Sequence, residues 1–138
     1  MTRTRRVGIA GLGVYLPERV LTNQELEERL DTSDAWIASR TGIRQRRIAA
    51  PDQAASDLGL IAARRALADA GLEPGDVDRI YVATASPDAI FPSTACRLQH
   101  LLGAREVGAC DVNAVCSGFD FALTLGYLAV ANRTVGRV

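Results

Sequence analysis

The chain has 138 residues, of which 48% are hydrophobic, so it is long enough for one globular domain with a buried core and too short for two large ones. Its 16 Lys and Arg balance 16 Asp and Glu, which leaves no overall basic field to attract nucleic acid or an anionic membrane. Apolar stretches are too short to cross a bilayer, and the amino-terminal run ends at Pro17 without the cleavage site of a secretory signal. We therefore expect a cytoplasmic protein with no nucleic-acid and no membrane partner.

The first part of the chain has short segments with strand or helix character. Residues 6–16 are apolar and β-branched with interspersed glycines, and predict a first, buried strand in close contact with other backbone. Residues 22–27 and 32–36 each carry an N-cap residue followed by acids, which predicts two short helices. Gly42 ends the second helix, and residues 43–48 form a short strand or an extended basic arm.

The second part alternates strands and helices more regularly. Residues 54–70 place apolar side chains at helical spacing and end at Gly71, which predicts a helix. After a turn at residues 76–78, we predict strands at 79–85 and 107–112 and helices at 93–102 and 117–132. Residues 134–138 resemble the first residues of a further strand. The alternation predicts an α/β fold with a mostly parallel, mixed sheet and flanking helices, without a domain boundary inside the sequence.

The cysteine content argues against a disulfide framework. Three cysteines, Cys96, Cys110 and Cys116, are an odd number in a chain of ordinary composition, which favours reduced thiols. There is no CxxC spacing and only one histidine, His100, so no metal site is predicted. We expect Cys96 and Cys110 to be packing residues, and His100 to lie at the surface near the end of a helix.

Cys116 is the candidate for chemistry, because it stands where a predicted strand gives way to a helix rich in small and apolar residues. Backbone amides and the positive end of a helix dipole stabilise a thiolate, which is the reactive form of a thiol. The same amides can hold the oxyanion that forms when a thioester is attacked, and Gly118 keeps the turn open for a substrate. The alternative is a buried small residue, the commonest state of a free cysteine, and spacing alone does not exclude it.

Six segments in a fixed order resemble the amino-terminal region of 3-oxoacyl-[acyl-carrier-protein] synthase III, the ketosynthase III family of the thiolase-like fold. They are residues 11–17 (GLGVYLP), 31–37 (DTSDAWI), 40–44 (RTGIR), 48–51 (IAAP), 91–93 (FPS) and 116–119 (CSGF). The similarity spans nearly the whole chain. It implies that residues 1–138 are the amino-terminal portion of a thiolase-like domain whose carboxy-terminal half is absent from the sequence.

Members of this family take an acyl group from acyl-CoA onto a cysteine and condense it, with decarboxylation, with a malonyl group on acyl carrier protein. The resemblance assigns the acyl-cysteine to Cys116, and implies acyl-CoA and malonyl-acyl carrier protein as partners, a homodimer, and no cofactor or metal beyond the coenzyme A thioester. Trp36 matches the tryptophan on which the adenine of coenzyme A stacks, and Thr32 and Arg40 match positions around the nucleotide. An indole face and a guanidinium suit an adenine ring and phosphates.

Five residues each have a second interpretation besides the one that the resemblance or their charge suggests. Without the resemblance, Trp36 is a packing anchor on a helix face. Phe91 matches a residue at the acyl pocket near the dimer interface, and is otherwise an ordinary core or interface aromatic. Arg44, Arg46 and Arg47 either attract phosphates or an acidic carrier protein, or belong to a solvated surface segment.

Two departures from the family pattern open other functions. Ser117 follows the cysteine where the family commonly has alanine, which favours as an alternative the priming of a polyketide pathway, or acyl transfer to an alcohol or amine. The family's catalytic histidine and asparagine lie in the half of the fold that this sequence does not contain, so we expect the 138 residues alone not to condense malonyl units. A further alternative is a catalytically incomplete assembly module, which a second polypeptide completes at the exposed edge of the predicted first strand.

Overall fold

Residues 5–138 are described by a computed structural model, in which they fall into two units. Leu16–Gln53 forms the smaller unit, and residues 5–15 together with Ala54–Val138 form the larger one. Each unit has its own two-stranded sheet, antiparallel in the smaller unit and parallel in the larger.

The smaller unit consists of a pair of strands and two helices. Strand β1 (Arg19–Thr22) pairs with β2 (Gln45–Ile48), and helices α1 (Asn23–Glu27) and α2 (Asp34–Thr41) lie between them in sequence. The hydroxyl of Thr22 accepts a hydrogen bond from the Glu25 amide, and the Glu25 carboxylate accepts one from the Thr22 amide, which forms a capping box. The two predicted helices and the short strand at residues 43–48 are confirmed, whereas β1 was not predicted.

Helix α2 has the end signals that the sequence indicated. The hydroxyl of Ser33 accepts a hydrogen bond from the Trp36 amide at 3.1 Å, so Ser33 is the N-cap. Gly42 has a φ of 73°, a left-handed conformation that glycine adopts without a steric penalty, and it ends the helix. Because these signals set both ends of α2, Trp36 lies in its first turn and Arg40 in its last.

The larger unit contains the parallel pair and three helices. Its elements are α3 (Ala55–Ala70), β3 (Arg79–Ala83), α4 (Thr94–Leu102), β4 (Gly108–Val112) and α5 (Gly118–Ala131). β3 and β4 run parallel, with Arg79 opposite Gly108 and Ala83 opposite Val112. The core forms where Ile80 of β3 meets Ala95 and Leu98 of α4. The predicted α/β fold with a parallel pair and flanking helices is confirmed.

The strand predicted at residues 6–16 is wrong, because the structure assigns no strand to these described residues. A strand requires a ladder partner, and this segment instead lies on α3. The amide of Leu12 donates to the Asp69 carboxylate at 2.9 Å, and Arg65 donates to the carbonyl of Val14 at 2.6 Å. A Cβ on Gly11 or Gly13 would overlap the backbone of α3, so the glycines mark close backbone contact with a helix.

The strand start predicted at residues 134–138 is also wrong, since none of these described residues lies in a strand. The amides of Gly136 and Arg137 each donate to one carboxylate oxygen of Asp78 at 2.9 Å, and the Asp78 amide donates to the Arg137 carbonyl at 3.0 Å. These backbone hydrogen bonds, with a smaller contribution from the Arg105 guanidinium, hold the pKa of the Asp78 carboxyl below its ordinary value, although burial acts in the opposite direction. Across residues 5–138, no helix combines the length and apolarity that a membrane span requires.

Candidate functional site

Cys116 lies in a single 3-10 turn, Val115–Ser117, which joins the end of β4 to the start of α5. Its side chain is exposed, and so are those of Cys96 and Cys110. The expectation that Cys96 and Cys110 pack inside is therefore wrong. Cys110 is on the exposed side of β4, while Cys96 donates a weak hydrogen bond from its sulfur to the Ala109 carbonyl at 3.7 Å.

The turn that carries Cys116 contains a strained residue and is followed by a buried glycine. Val115 has a φ of 48°, in the left-handed region that β-branched residues rarely adopt. Gly118, the first residue of α5, is buried, and a Cβ there would lie 3.4 Å from the Cβ of Ala83 at the end of β3. The thiol is thus held at the carboxyl ends of two parallel strands, the edge where α/β sheets place their ligands. A strained residue beside an exposed nucleophile is typical of a functional turn.

Phe91 lies on the loop between β3 and α4, directly before the cis-Pro92 bond, and it is 89% exposed. The loop is anchored by Asp88, whose side chain is only 2% exposed. The Asp88 carboxylate accepts hydrogen bonds from the amide and the hydroxyl of Ser56 at the start of α3, and forms an ion pair with Arg97 at 3.1 Å. Phe91 is therefore an exposed aromatic on a loop that is anchored at Asp88.

Asp88 keeps its charge in this buried position. Burial raises the pKa of the Asp88 carboxyl. The hydrogen bonds from Ser56, the Arg97 guanidinium and the Thr94 hydroxyl lower it by more than burial raises it, so the pKa lies below the ordinary value. A second carboxylate, Asp111 on β4, accepts from the amides of Thr94 and Ala95 at 2.9 and 2.7 Å. The sequence analysis missed both residues, although an acid within the apolar strand at 107–112 indicates a polar partner.

Trp36, Arg40 and Thr32 come together on one surface of the smaller unit. Trp36 and Arg40 lie one turn apart on α2, and the guanidinium carbon is 5.1 Å from the centroid of the indole ring, a cation–π geometry. Trp36 is 55% exposed, which does not fit a packing anchor. Trp36 and Thr32 also line a depression of about 510 Å³, whose other lining residues are Leu30, Asp31 and Ser33.

The three arginines near β2 differ in their surroundings. Arg46 donates to the side chain of Asn23, and Arg47 donates to the carbonyl of Pro17 at 3.0 Å. The side chain of Arg44 is 77% exposed and lies 3.9 Å from the Asp34 carboxylate. Arg46 and Arg47 are thus used within the unit, and Arg44 is the most accessible of the three. In the larger unit, His100 is exposed in the last turn of α4, as expected.

Curated proteins match the chain in sequence, although no protein-family model does. The beta-ketoacyl-[acyl-carrier-protein] synthase III of Methylococcus capsulatus is 54% identical over 126 residues, which are 90% of this chain and 39% of that protein. The enzyme of the same name from Caldanaerobacter subterraneus is 56% identical over 118 residues, 86% of this chain and 36% of the relative. The chain thus spans less than two fifths of the length of these two curated relatives.

Solved structures match at similar coverage. The 3-oxoacyl-[acyl-carrier-protein] synthase III of Aquifex aeolicus superposes with a TM-score of 0.88 at 46% identity, over 91% of this chain and 40% of that one. The priming beta-ketosynthase of the R1128 polyketide pathway superposes with a TM-score of 0.89 at 37% identity, over 95% of this chain and 39% of that one. The described fold is therefore the amino-terminal part of the thiolase-like fold of these structures.

Proposed function

The chain belongs to the 3-oxoacyl-[acyl-carrier-protein] synthase III (ketosynthase III) family, and we propose that its Cys116 accepts an acyl group from acyl-CoA. In sequence and fold, the chain matches the amino-terminal part of members of this family. On this proposal, residues 1–138 are the amino-terminal portion of a thiolase-like ketosynthase domain. The observation that carries it is the exposed thiol of Cys116 on the strained turn before α5.

The acyl transfer needs a nucleophile and a place for negative charge. The sulfur of Cys116 attacks the thioester carbonyl carbon, a new carbon–sulfur bond forms, and the bond to the sulfur of coenzyme A breaks. Coenzyme A leaves as a thiolate and takes the proton that the Cys116 thiol gives up. Backbone amides in the first turn of α5 stabilise the oxyanion of the tetrahedral intermediate, and the positive end of the helix dipole adds to this.

The surface of Thr32, Trp36 and Arg40 supports coenzyme A as the acyl donor. The exposed indole offers an aromatic face for an adenine ring, and the adjacent guanidinium offers donors and charge for phosphates. The depression that Trp36 and Thr32 line gives the nucleotide a concave surface to bind. We assign these three residues to binding and Cys116 to catalysis, with no metal or further cofactor.

Phe91 fits a wall of the acyl pocket near a homodimer interface. A phenyl ring that is 89% exposed is costly in water, and a second copy of the protein or an acyl chain would cover it. The buried carboxylate of Asp88 anchors the same loop three residues before Phe91.

Mass spectrometry of the intact chain tests the acyl-enzyme. Incubation with acetyl-CoA is expected to add one acyl group to the wild-type chain and none to Cys116→Ala. Cys96→Ala and Cys110→Ala are matched controls, because these two thiols are also exposed, and both variants are expected to be labelled like the wild type. Equal labelling of Cys116→Ala would refute the assignment.

In the whole protein, we propose that the acyl group passes from Cys116 to a malonyl group on acyl carrier protein. Loss of carbon dioxide from the malonyl group leaves an enolate carbon, which attacks the acyl thioester and displaces the Cys116 thiolate. The test is to supply malonyl-acyl carrier protein to the acylated whole protein, which is expected to release carbon dioxide and form a carbon–carbon bond. Acyl esters or amides without carbon dioxide release would indicate transfer to an alcohol or amine instead.

The second candidate function is the priming of a polyketide pathway. It is favoured by Ser117 after the cysteine and by the similarity to the priming ketosynthase of the R1128 pathway. A panel of acyl-CoA donors separates the two candidates, since a fatty acid enzyme is expected to prefer a different starter from a polyketide enzyme. The rate of Cys116 acylation by acetyl-CoA relative to longer donors is the measured quantity.

A further inference from the structure

We propose that Asn23 is a positioning residue for coenzyme A binding, because its buried amide sets where α2 presents Trp36 and Arg40. The inference rests on the proposed function of that surface. Asn23 is the first residue of α1 and has no accessible surface, although asparagine is usually exposed. A polar side chain is stable in such a position only when its hydrogen bonds are made.

The side-chain amide of Asn23 is bonded on both of its polar atoms. Its nitrogen donates to the Asp34 carboxylate at 2.7 Å and to the Ile43 carbonyl at 2.8 Å, and its oxygen accepts from the Arg46 guanidinium. The backbone amide of Asn23 adds a hydrogen bond to the Arg44 carbonyl at 3.3 Å. Asn23 is thus linked to the first residue of α2 and to the segment that follows the helix.

The partners of Asn23 bracket the helix that carries the binding surface. Asp34 is the first residue of α2, and Ile43 follows Gly42, the residue that ends the helix. Trp36 comes two residues after Asp34, and Arg40 comes three residues before Ile43. A shift of the amide of Asn23 would therefore move both functional side chains.

Apolar packing cannot hold α2 by itself. Among its eight residues, all of which the structure describes, only Ile37 is buried. Apolar contact is non-directional, so one anchored side chain leaves the helix free to rotate or slide. Hydrogen bonds supply the missing direction, because each depends on distance and angle. The Asp34 amide donates to the Glu27 carboxylate at the start of α2, and Asn23 contacts both the start of the helix and the segment after its end.

The chemistry of the three partners explains why the residue is an asparagine. A carboxylate and a carbonyl need donors, whereas a guanidinium needs an acceptor, and a carboxamide offers both within one small planar group. An aspartate would place a second carboxylate against Asp34, and an alanine would leave all three partners without their bond. Either substitution is expected to displace α2.

The inference predicts a selective loss of nucleotide binding. Asn23→Ala is expected to weaken coenzyme A binding by about tenfold, while acylation of Cys116 by an N-acetylcysteamine thioester, which lacks the nucleotide, changes by less than about twofold. Trp36 is the single tryptophan of the sequence, so its fluorescence reports both the position of α2 without ligand and the binding of coenzyme A. The unliganded emission of Trp36 is expected to change in Asn23→Ala.

Two further variants separate positioning from stability. Ile80→Val in the core of the larger unit is the control, since it is expected to lower the thermal midpoint and leave the Trp36 emission and coenzyme A affinity unchanged. The double variant Asn23→Asp with Asp34→Asn exchanges donor and acceptor in one hydrogen bond. It is expected to recover part of the affinity that Asn23→Asp alone loses.

The outcomes distinguish this inference from the proposed function. An unchanged Trp36 emission in Asn23→Ala overturns the positioning role, as does a lower thermal midpoint with unaltered coenzyme A affinity. Equal loss of acylation by acetyl-CoA and by the N-acetylcysteamine thioester also overturns it, because the effect would then be general. A wild-type chain whose Trp36 emission does not respond to coenzyme A refutes the proposed binding surface itself.

Discussion

Replacing Asp88 should destabilise the larger unit far more than replacing an exposed aspartate. The Asp88 side chain is 2% exposed and accepts two hydrogen bonds from Ser56, besides its ion pair with Arg97. Hydrogen bonds to a charged group contribute about 1.5 kcal/mol each, so the two bonds from Ser56 amount to about 3 kcal/mol. Arg97 is about half exposed, so its pair adds at most about 1 kcal/mol. Asp88→Ala is therefore expected to lower the free energy of unfolding by about 3–4 kcal/mol.

The same carboxylate should make the stability depend on acid. The pKa of Asp88 is lower in the folded chain than in the unfolded chain, so its stabilising contribution is complete above the unfolded pKa of about 3.9. As the pH falls from about 3.9 toward the folded pKa, the unfolded chain takes up the proton first and the contribution is lost. Asp88→Asn removes this titration and is expected to flatten the pH dependence in that window.

Urea unfolding followed by circular dichroism measures both effects at a series of pH values. Asp52→Asn is the control, because Asp52 is exposed and its substitution is expected to change the free energy of unfolding by less than about 0.5 kcal/mol. A loss below about 1 kcal/mol in Asp88→Ala would show that the carboxylate does not anchor the loop. An acid dependence that is equally steep in Asp88→Asn and wild type would refute the assigned titration.

Three further substitutions test other parts of the structure. Gly13→Ala is expected to destabilise the chain by about 2 kcal/mol in urea unfolding, because the added Cβ would overlap α3. Gly8→Ala is the control and is expected to be tolerated, since no described atom lies within 4 Å of its added Cβ. Equal effects of the two substitutions would contradict the close contact of Gly13 with α3. Val115→Gly is expected to raise the free energy of unfolding by up to about 1 kcal/mol, because glycine adopts the positive φ of this residue without strain and Val115 is 72% exposed. A destabilised variant would argue against backbone strain at Val115. Arg40→Ala is expected to weaken coenzyme A binding, read from Trp36 emission, by about tenfold, and an unchanged affinity would remove the guanidinium from the binding surface.

Local signals in the sequence predicted the helices well, because the energies involved are local. Ser33 caps α2 through its own hydroxyl, and Gly42, Gly71 and Gly103 end their helices with positive φ. Each of these effects acts within one turn of helix, so a single sequence carries the information. The strands at residues 79–85 and 107–112 were found because they are short apolar runs beside turn residues.

Features that depend on a distant partner could not be predicted. Residues 6–16 have the composition of a strand, but whether they form one depends on a ladder partner, and their described contacts are to α3. Strand β1 was missed because Arg19–Thr22 has only four residues, two of them polar, and is defined by its pairing with β2. The exposure of Cys110 depends on which side of β4 the helices cover.

The candidate site shows the same division between local and distant information. The resemblance and the motif predicted Cys116, Trp36 and Arg40, whose proposed roles depend on their own side chains. Asn23 and Asp88 were missed, because each gains its role from partners far along the chain: Asn23 binds Arg46, and Asp88 binds Ser56. An asparagine at a helix start and an aspartate in a loop are common at exposed positions. Only the fold shows that these two are buried and bonded.

Localising the acyl group within the wild-type chain tests the central claim most directly. The three exposed cysteines compete for acetyl-CoA under identical conditions, and proteolysis followed by mass spectrometry of the peptides reports the occupancy of each. If Cys116 is the acyl acceptor, its peptide is expected to carry the acetyl group while those of Cys96 and Cys110 remain unmodified. Acetylation spread evenly over the three thiols, or found on Cys96 or Cys110 instead, would contradict the account.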